Sequence, residues 1–132
     1  MNFTNFRATL LDFLIADAGI TALVSASSIH FAEISSLQNP SYPCITVQIR
    51  RGAQHVSIHQ RFPLIIGAHS EISEYEAMTI IQAIGTRLQA PIFQAASGGV
   101  MIYPSGTPTT VWVSEARLHH TFVRYTLNRI GL

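Results

Sequence analysis

Residues 62–89 read FPLIIGAHSEISEYEAMTIIQAIGTRLQ, and within them the apolar spacing changes its period. Phe62 to His69 is an almost wholly apolar run of strand length, as expected of a strand buried on both faces. Beyond it, Ser73 with Glu76 three positions later forms a capping box. Ala77, Ile80, Ile81, Ile84 and Leu88 then fall on one helical stripe, so Ser73 to Gln89 reads as an amphipathic helix that Pro91 terminates.

Working outward, residues 39–52, NPSYPCITVQIRRG, place the only cysteine behind a proline at the head of a β-branched run. Pro43 sets the start of that strand. Ile45, Val47 and Ile49 share one face, and Cys44, Thr46, Gln48 and Arg50 the other. This run and Phe62–His69 are expected to pair antiparallel across the polar hairpin GAQHVSIHQR. Upstream, Phe3 to Ala16 reads as a helix with Phe6, Leu10, Phe13 and Leu14 on one side, Thr4 or Asn5 as its cap and Gly19 as its end. Ile20 to Val24 adds a short second turn, and Ile29 to Ile34 a short strand. Downstream, Gln94 to Thr110 is a glycine- and proline-rich excursion holding a strand at Val100 to Tyr103. Val111 and Val113 begin a strand, and Phe122 to Leu127 continue it or form the next. The order α, β, β, β, α, β, β predicts an α+β fold over a single domain, residues 1–132. It is an antiparallel (mixed) β-sheet with two main helices packed on one face.

Composition adds a constraint on association. Charged residues are 11% of the chain, against roughly 25% in an average soluble domain. Hydrophobic residues reach 48% and the net charge is +1. So neutral a surface favours self-association, and a homo-oligomer is expected. All eight basic residues are arginines, whose forked, weakly hydrated guanidinium tolerates interfaces better than lysine. One cysteine excludes an internal disulfide and a zinc site of several thiolates. The N-terminal apolar segment is broken by Asn2, Arg7 and Asp12, unlike an export signal, and no run has the length of a membrane helix.

Candidate chemistry is sparse. Cys44 precedes an apolar strand rather than a helix N-terminus that would lower its pKa, so it reads as a small buried hydrophobe. No elbow of the GxSxG type surrounds a serine. His55 and His59, with His119 or His120, invite a metal site, yet there is no HExxH and no ligand spacing of zinc type, so no cofactor is expected. Ser97, Gly98 and Gly99 lack the lysine of a phosphate loop and form a turn. Arg50, Arg51 and Arg61 make the hairpin stem basic, which fits ion pairs with a neighbouring subunit better than nucleic-acid contact. Glu71, Glu74 and Glu76 suit the dipole of the helix they open and can also receive arginines from the next copy.

The succession of elements resembles the tail terminator, or tail completion, family of long-tailed bacteriophages. It runs from an opening helix followed by AGITALVSASSIHF, through PSYPCITVQI, FPLIIGAHS and SEYEAMTIIQAIGTRLQ, to a closing strand HHTFVRYTLNRI. The resemblance implies a hexameric ring that caps the tail tube and stops its polymerisation. The ring docks to the head connector, its central channel passing DNA without sequence-specific binding, and no bond is made or broken. The partners implied are further copies of the chain, the major tail tube protein and a head–tail connector or stopper, in the tail or neck of a virion assembled in the host cytoplasm. On this reading Arg50, Arg51, His55, His59, Arg61, Glu71 and Glu74 meet a neighbouring subunit or the tube. Ser97, Gly98, Gly99, Tyr103 and Thr107, in the excursion, meet the second partner. Two other roles compete: another connector, stopper or minor tail protein, and a small oligomeric enzyme with a histidine metal site.

Overall fold

The computed structural model describes residues 3–49, 59–89, 101–114 and 117–130. Its elements are α1 (Phe3–Ile15), α2 (Ala18–Leu23), β1 (Ile29–His30), β2 (Cys44–Ile49), β3 (His59–Ser70), α3 (Glu74–Leu88), β4 (Met101–Pro104), β5 (Thr109–Val113) and β6 (Leu118–Ile130). The strands form one mixed sheet in the order β1-β2-β3-β6-β4, with β5 also on β6. β1 pairs parallel to β2, and every other pairing is antiparallel. The expected α+β fold with helices on one sheet face is therefore observed, with α2 as a short third helix. Among the described residues no helix is long and apolar enough to cross a membrane.

Strand parity decides which side chains enter the core. Ile45 and Val47 of β2, Leu64, Ile66 and Ala68 of β3, and Val123, Tyr125 and Leu127 of β6 point to one face. There they meet Leu10, Phe13 and Leu14 of α1, Ile20 of α2, and the stripe Ala77, Ile80, Ile81, Ile84 and Leu88 of α3. The stripe read from the 3.6-residue period is thus the buried face of α3.

The caps follow the sequence at one helix and depart from it at another. Ser73 Oγ accepts from the N–H of Glu76 at 3.0 Å, as the capping box requires. The Glu76 carboxylate does not close the box on Ser73; it takes the Ser70 hydroxyl at 2.7 Å, and Ser70 Oγ in turn accepts from the N–H groups of Ile72 and Ser73. Ser73→Ala is expected to cost about 1 kcal/mol, the usual worth of such a cap, measured by urea unfolding. At the N-terminus Thr4 and Asn5 lie inside α1 rather than capping it, because the helix already begins at Phe3. Gly19 does not end α1 either, since it sits within α2. The break falls at Asp17, whose Oδ1 accepts from the N–H of Ile20 at 2.9 Å. A Cβ on Gly19 would stand 3.1 Å from that oxygen, so the glycine leaves room for the cap. Asp17 Oδ2 also lies 2.9 Å from Arg87 Nε in an ion pair too poorly aligned for a hydrogen bond. The Arg87 guanidinium covers the Phe13 ring at 4.1 Å, which ties α1, α2 and α3 together.

The expected strand Ile29–Ile34 shrinks to Ile29–His30. A 3₁₀ turn at Ile34–Ser36 replaces its end, closed by the Ser36 hydroxyl donating to the Glu33 carbonyl at 2.7 Å. Serine competes for the backbone in this way where a longer strand would need it. The strand expected at Val100–Tyr103 is β4, Met101–Pro104, and Val100 lies outside the described residues. The closing segment divides into β5 and β6, a hairpin that pairs Val113 with Leu118. β4 and β5 lie end to end along one edge of β6. Ser105 to Pro108 bulge out between them opposite Val123 and Arg124, with the Ser105 N–H donating to the Arg124 carbonyl.

Candidate functional site

The sheet face turned away from the core carries the side chains of opposite parity in aligned rows. Register places Gln48, Ile65 and Arg124 in one row, Thr46, Gly67, Phe122 and Thr109 in the next, and Cys44, His69, His120 and Val111 in a third.

The second and third rows hold a buried polar chain. Thr46 Oγ1 lies 2.7 Å from His69 Nε2, and His69 Nδ1 lies 2.6 Å from His120 Nδ1. The two imidazoles meet edge to face, with Phe122 against His69. Whichever ring donates across the Nδ1 pair, the other must accept through a lone pair. Protonating both rings would set two N–H groups against each other and break the contact. Burial, reinforced by the charge of His120, lowers the pKa of His69 to about 3. Burial, then the neighbouring His119, lowers that of His120. Gly67 makes the convergence possible: a Cβ there would stand 2.7 Å from Thr46 Oγ1 and 2.9 Å from both His69 Nε2 and Phe122 Cε1. Cys44 begins β2 fully buried beside this chain, and burial raises its thiol to about 11, so it is protonated at neutral pH. The reading of Cys44 as a wall residue holds.

Beside the polar chain opens a groove of about 520 Å³. Ile65 and Phe122 give it apolar contact area, Gln48, Ser105, Thr107 and Thr109 give it hydrogen-bonding groups, and Arg124 gives it a cation. Among the described residues Arg124 has no carboxylate partner. Ser105 Oγ is held 2.6 Å from Thr126 Oγ1, which fixes the rim.

Of the residues expected to meet partners, Thr107 lines this groove and is exposed. Tyr103 lies in β4, paired with Thr126. Glu71 and Glu74 are exposed at the start of α3. His59 and Arg61 lie in the first part of β3, opposite Ile130 and Asn128. Arg50, Arg51, His55, Ser97, Gly98 and Gly99 fall outside the described residues. At about 3.3 Å per residue, the 12 residues of β3 put its two ends roughly 35 Å apart.

His119 and His120 do not act together: adjacent strand residues face opposite ways, so His120 joins His69 while the His119 ring lies 4.3 Å from that of Trp112. Among the described residues no three His, Cys, Asp or Glu side chains are placed to hold a metal. No motif marks His69 and Thr46 as partners, because His69 ends an apolar run. The available signal was parity: His69 and Gly67 share a face, and antiparallel pairing brings Thr46 opposite Gly67.

Fold and groove together define the class of the molecule, an α+β chain with helices on one sheet face and an open, polar-lined groove on the other. Among solved structures it is similar to a chain from the virion of a native gene transfer agent (GTA) particle, with a TM-score of 0.67 and 12% sequence identity over 92% of both chains. By sequence, no protein-family model and no curated protein matches.

Proposed function

We propose that the chain is a structural component of a phage-like virion, a hexameric ring that caps the tail tube, halts its growth and presents the docking surface for the head connector. The observation that carries this reading is the fold shared with a chain of a gene transfer agent virion over 92% of each. The succession of elements that resembles tail terminators supports the finer placement in the neck. The sparse charge of the sequence, 11%, fits a subunit whose flanks, top and bottom are covered by neighbours. In this role side chains act through shape and charge, no bond is broken, and DNA passes along the lumen.

The test is electron microscopy of particles made without this gene. Overgrown tails without heads are expected. Tails of normal length lacking heads would assign the chain to a connector or stopper instead, and normal tails joined to heads would remove it from the neck altogether.

A further inference from the structure

The groove beside the histidine pair and the turn that opens α3 are complementary, and they lie on different sides of the same chain. Ile72 and Tyr75 are 75% and 81% exposed, the highest values among the large hydrophobic side chains described. Glu74 stands between them, exposed. This turn is hydrogen-bonded into place: the hydroxyls of Ser70 and Ser73 accept from the N–H groups of Ile72, Ser73 and Glu76. A preordered protrusion loses little conformational entropy on binding. The groove supplies the converse surface, with Phe122 and Ile65 for an aromatic body, hydroxyls for a phenol and Arg124 for a carboxylate.

We propose that copies of this chain associate head to tail, the Ile72–Tyr75 turn of one copy seated in the groove of the next with Glu74 paired to Arg124. Charge complementarity selects a second copy as occupant: an exposed anion beside exposed apolar side chains on one surface answers a cation that has no carboxylate partner among the described residues, beside apolar floor, on the other. The α3 turn continues from the end of β3 on the helix side, while the groove opens on the far face of the sheet, so one chain cannot satisfy both surfaces itself. The contact is therefore heterologous, and it closes into a ring when the rotation between neighbours permits. The inference rests on the ring-forming role proposed above and names the surfaces that make the ring.

The test is disulfide trapping of the purified full chain carrying Thr107→Cys and Glu71→Cys together, which leaves Ile72, Glu74 and Tyr75 of the turn in place. Cys44 is buried and stays out of the reaction. Mild oxidation is expected to give a ladder of linked dimers, trimers and larger species, whereas either single substitution stops at dimers. Adding Arg124→Glu is expected to reduce the ladder roughly tenfold or more through like-charge juxtaposition. Mixing Arg124→Glu chains with Glu74→Arg chains, each with both cysteines, is expected to restore it, since each groove then meets a turn of opposite charge. All four positions are exposed, and matching thermal melts confirm folding. Products no larger than dimers, a ladder indifferent to charge reversal, or no restoration on mixing would overturn the proposal. If the ladder is absent while particles lacking the gene still carry overgrown tails, the ring role stands and only this interface falls. If the ladder forms while those tails are normal, the interface stands and the capping role falls.

Discussion

Folding stability is expected to decline steadily as the pH falls below about 6.5, with His69 as a leading cause. The unfolded chain binds a proton at His69 with the ordinary pKa of 6.5, whereas the folded chain refuses it until about pH 3. Protons therefore favour the unfolded state throughout that window. The contribution of neutral His69 is fully present above the upper value and is lost progressively toward the lower one. Linkage sets the slope at roughly 1.4 kcal/mol per pH unit for one histidine, so about 3 kcal/mol is lost by about pH 4, and His120 adds to it. That is a large part of the 5–15 kcal/mol or so that holds a typical domain folded. The groups facing the pair offer no relief: the Thr46 hydroxyl, the protonated Cys44 thiol, the Phe122 ring and Val111 carry no negative charge. Urea unfolding of the native chain and of His69→Gln at several pH values isolates the effect, because the carboxylates titrate in both. A shallower acid slope is expected in the variant; equal slopes would show that the pair takes up a proton freely in the fold.

Gly67→Ala is expected to destabilise the chain by about 1–3 kcal/mol, the usual range for overpacking. The added methyl would press on Thr46 Oγ1, His69 Nε2 and Phe122 Cε1, all closer than 3.0 Å. None yields easily: Thr46 is β-branched and bonded to His69, His69 is held at both nitrogens, and Phe122 packs on His69. The gain from a stiffer unfolded chain, about 0.4–1 kcal/mol for glycine to alanine, is smaller, so the sign is set by the contact. Thermal melting decides it. A variant as stable as the native chain would show that the three side chains separate without cost.

Where one residue type dominated the local energetics, the fold was legible in the sequence. The isoleucine stripe fixed α3, Ser73 fixed its start, and the alternation of Ile45, Val47 and Ile49 fixed the inward face of β2. The misreadings share a cause, since each element was settled by a contact distant in sequence or by a side chain bonding to the backbone. Gly19 resembles a helix stop, but the carboxylate of Asp17 makes the break and the glycine only accommodates it. Ile29–Ile34 has the spacing of a strand, yet only two residues find a parallel partner on β2. The site was less legible still. A histidine at the end of an apolar run carries no motif, and its pairing with His120, 51 positions away, exists only through the register of β3 on β6. Arg124 stands on an alternating strand, and nothing local marks it until the 105–108 bulge walls the groove beside it.

The division of one sheet margin between β4 and β5 bears on solubility. β6 runs for 13 residues, LHHTFVRYTLNRI, dense in the β-branched and aromatic types that template cross-β fibrils when left bare. Here it is a filling rather than a crust: β3 covers one flank, and the β4 and β5 pieces cover the other, interrupted by Pro104, Pro108 and a bulge that give an approaching strand no continuous ladder to copy. Along this margin main-chain zippering, the step that runs on into amyloid, thus finds little template.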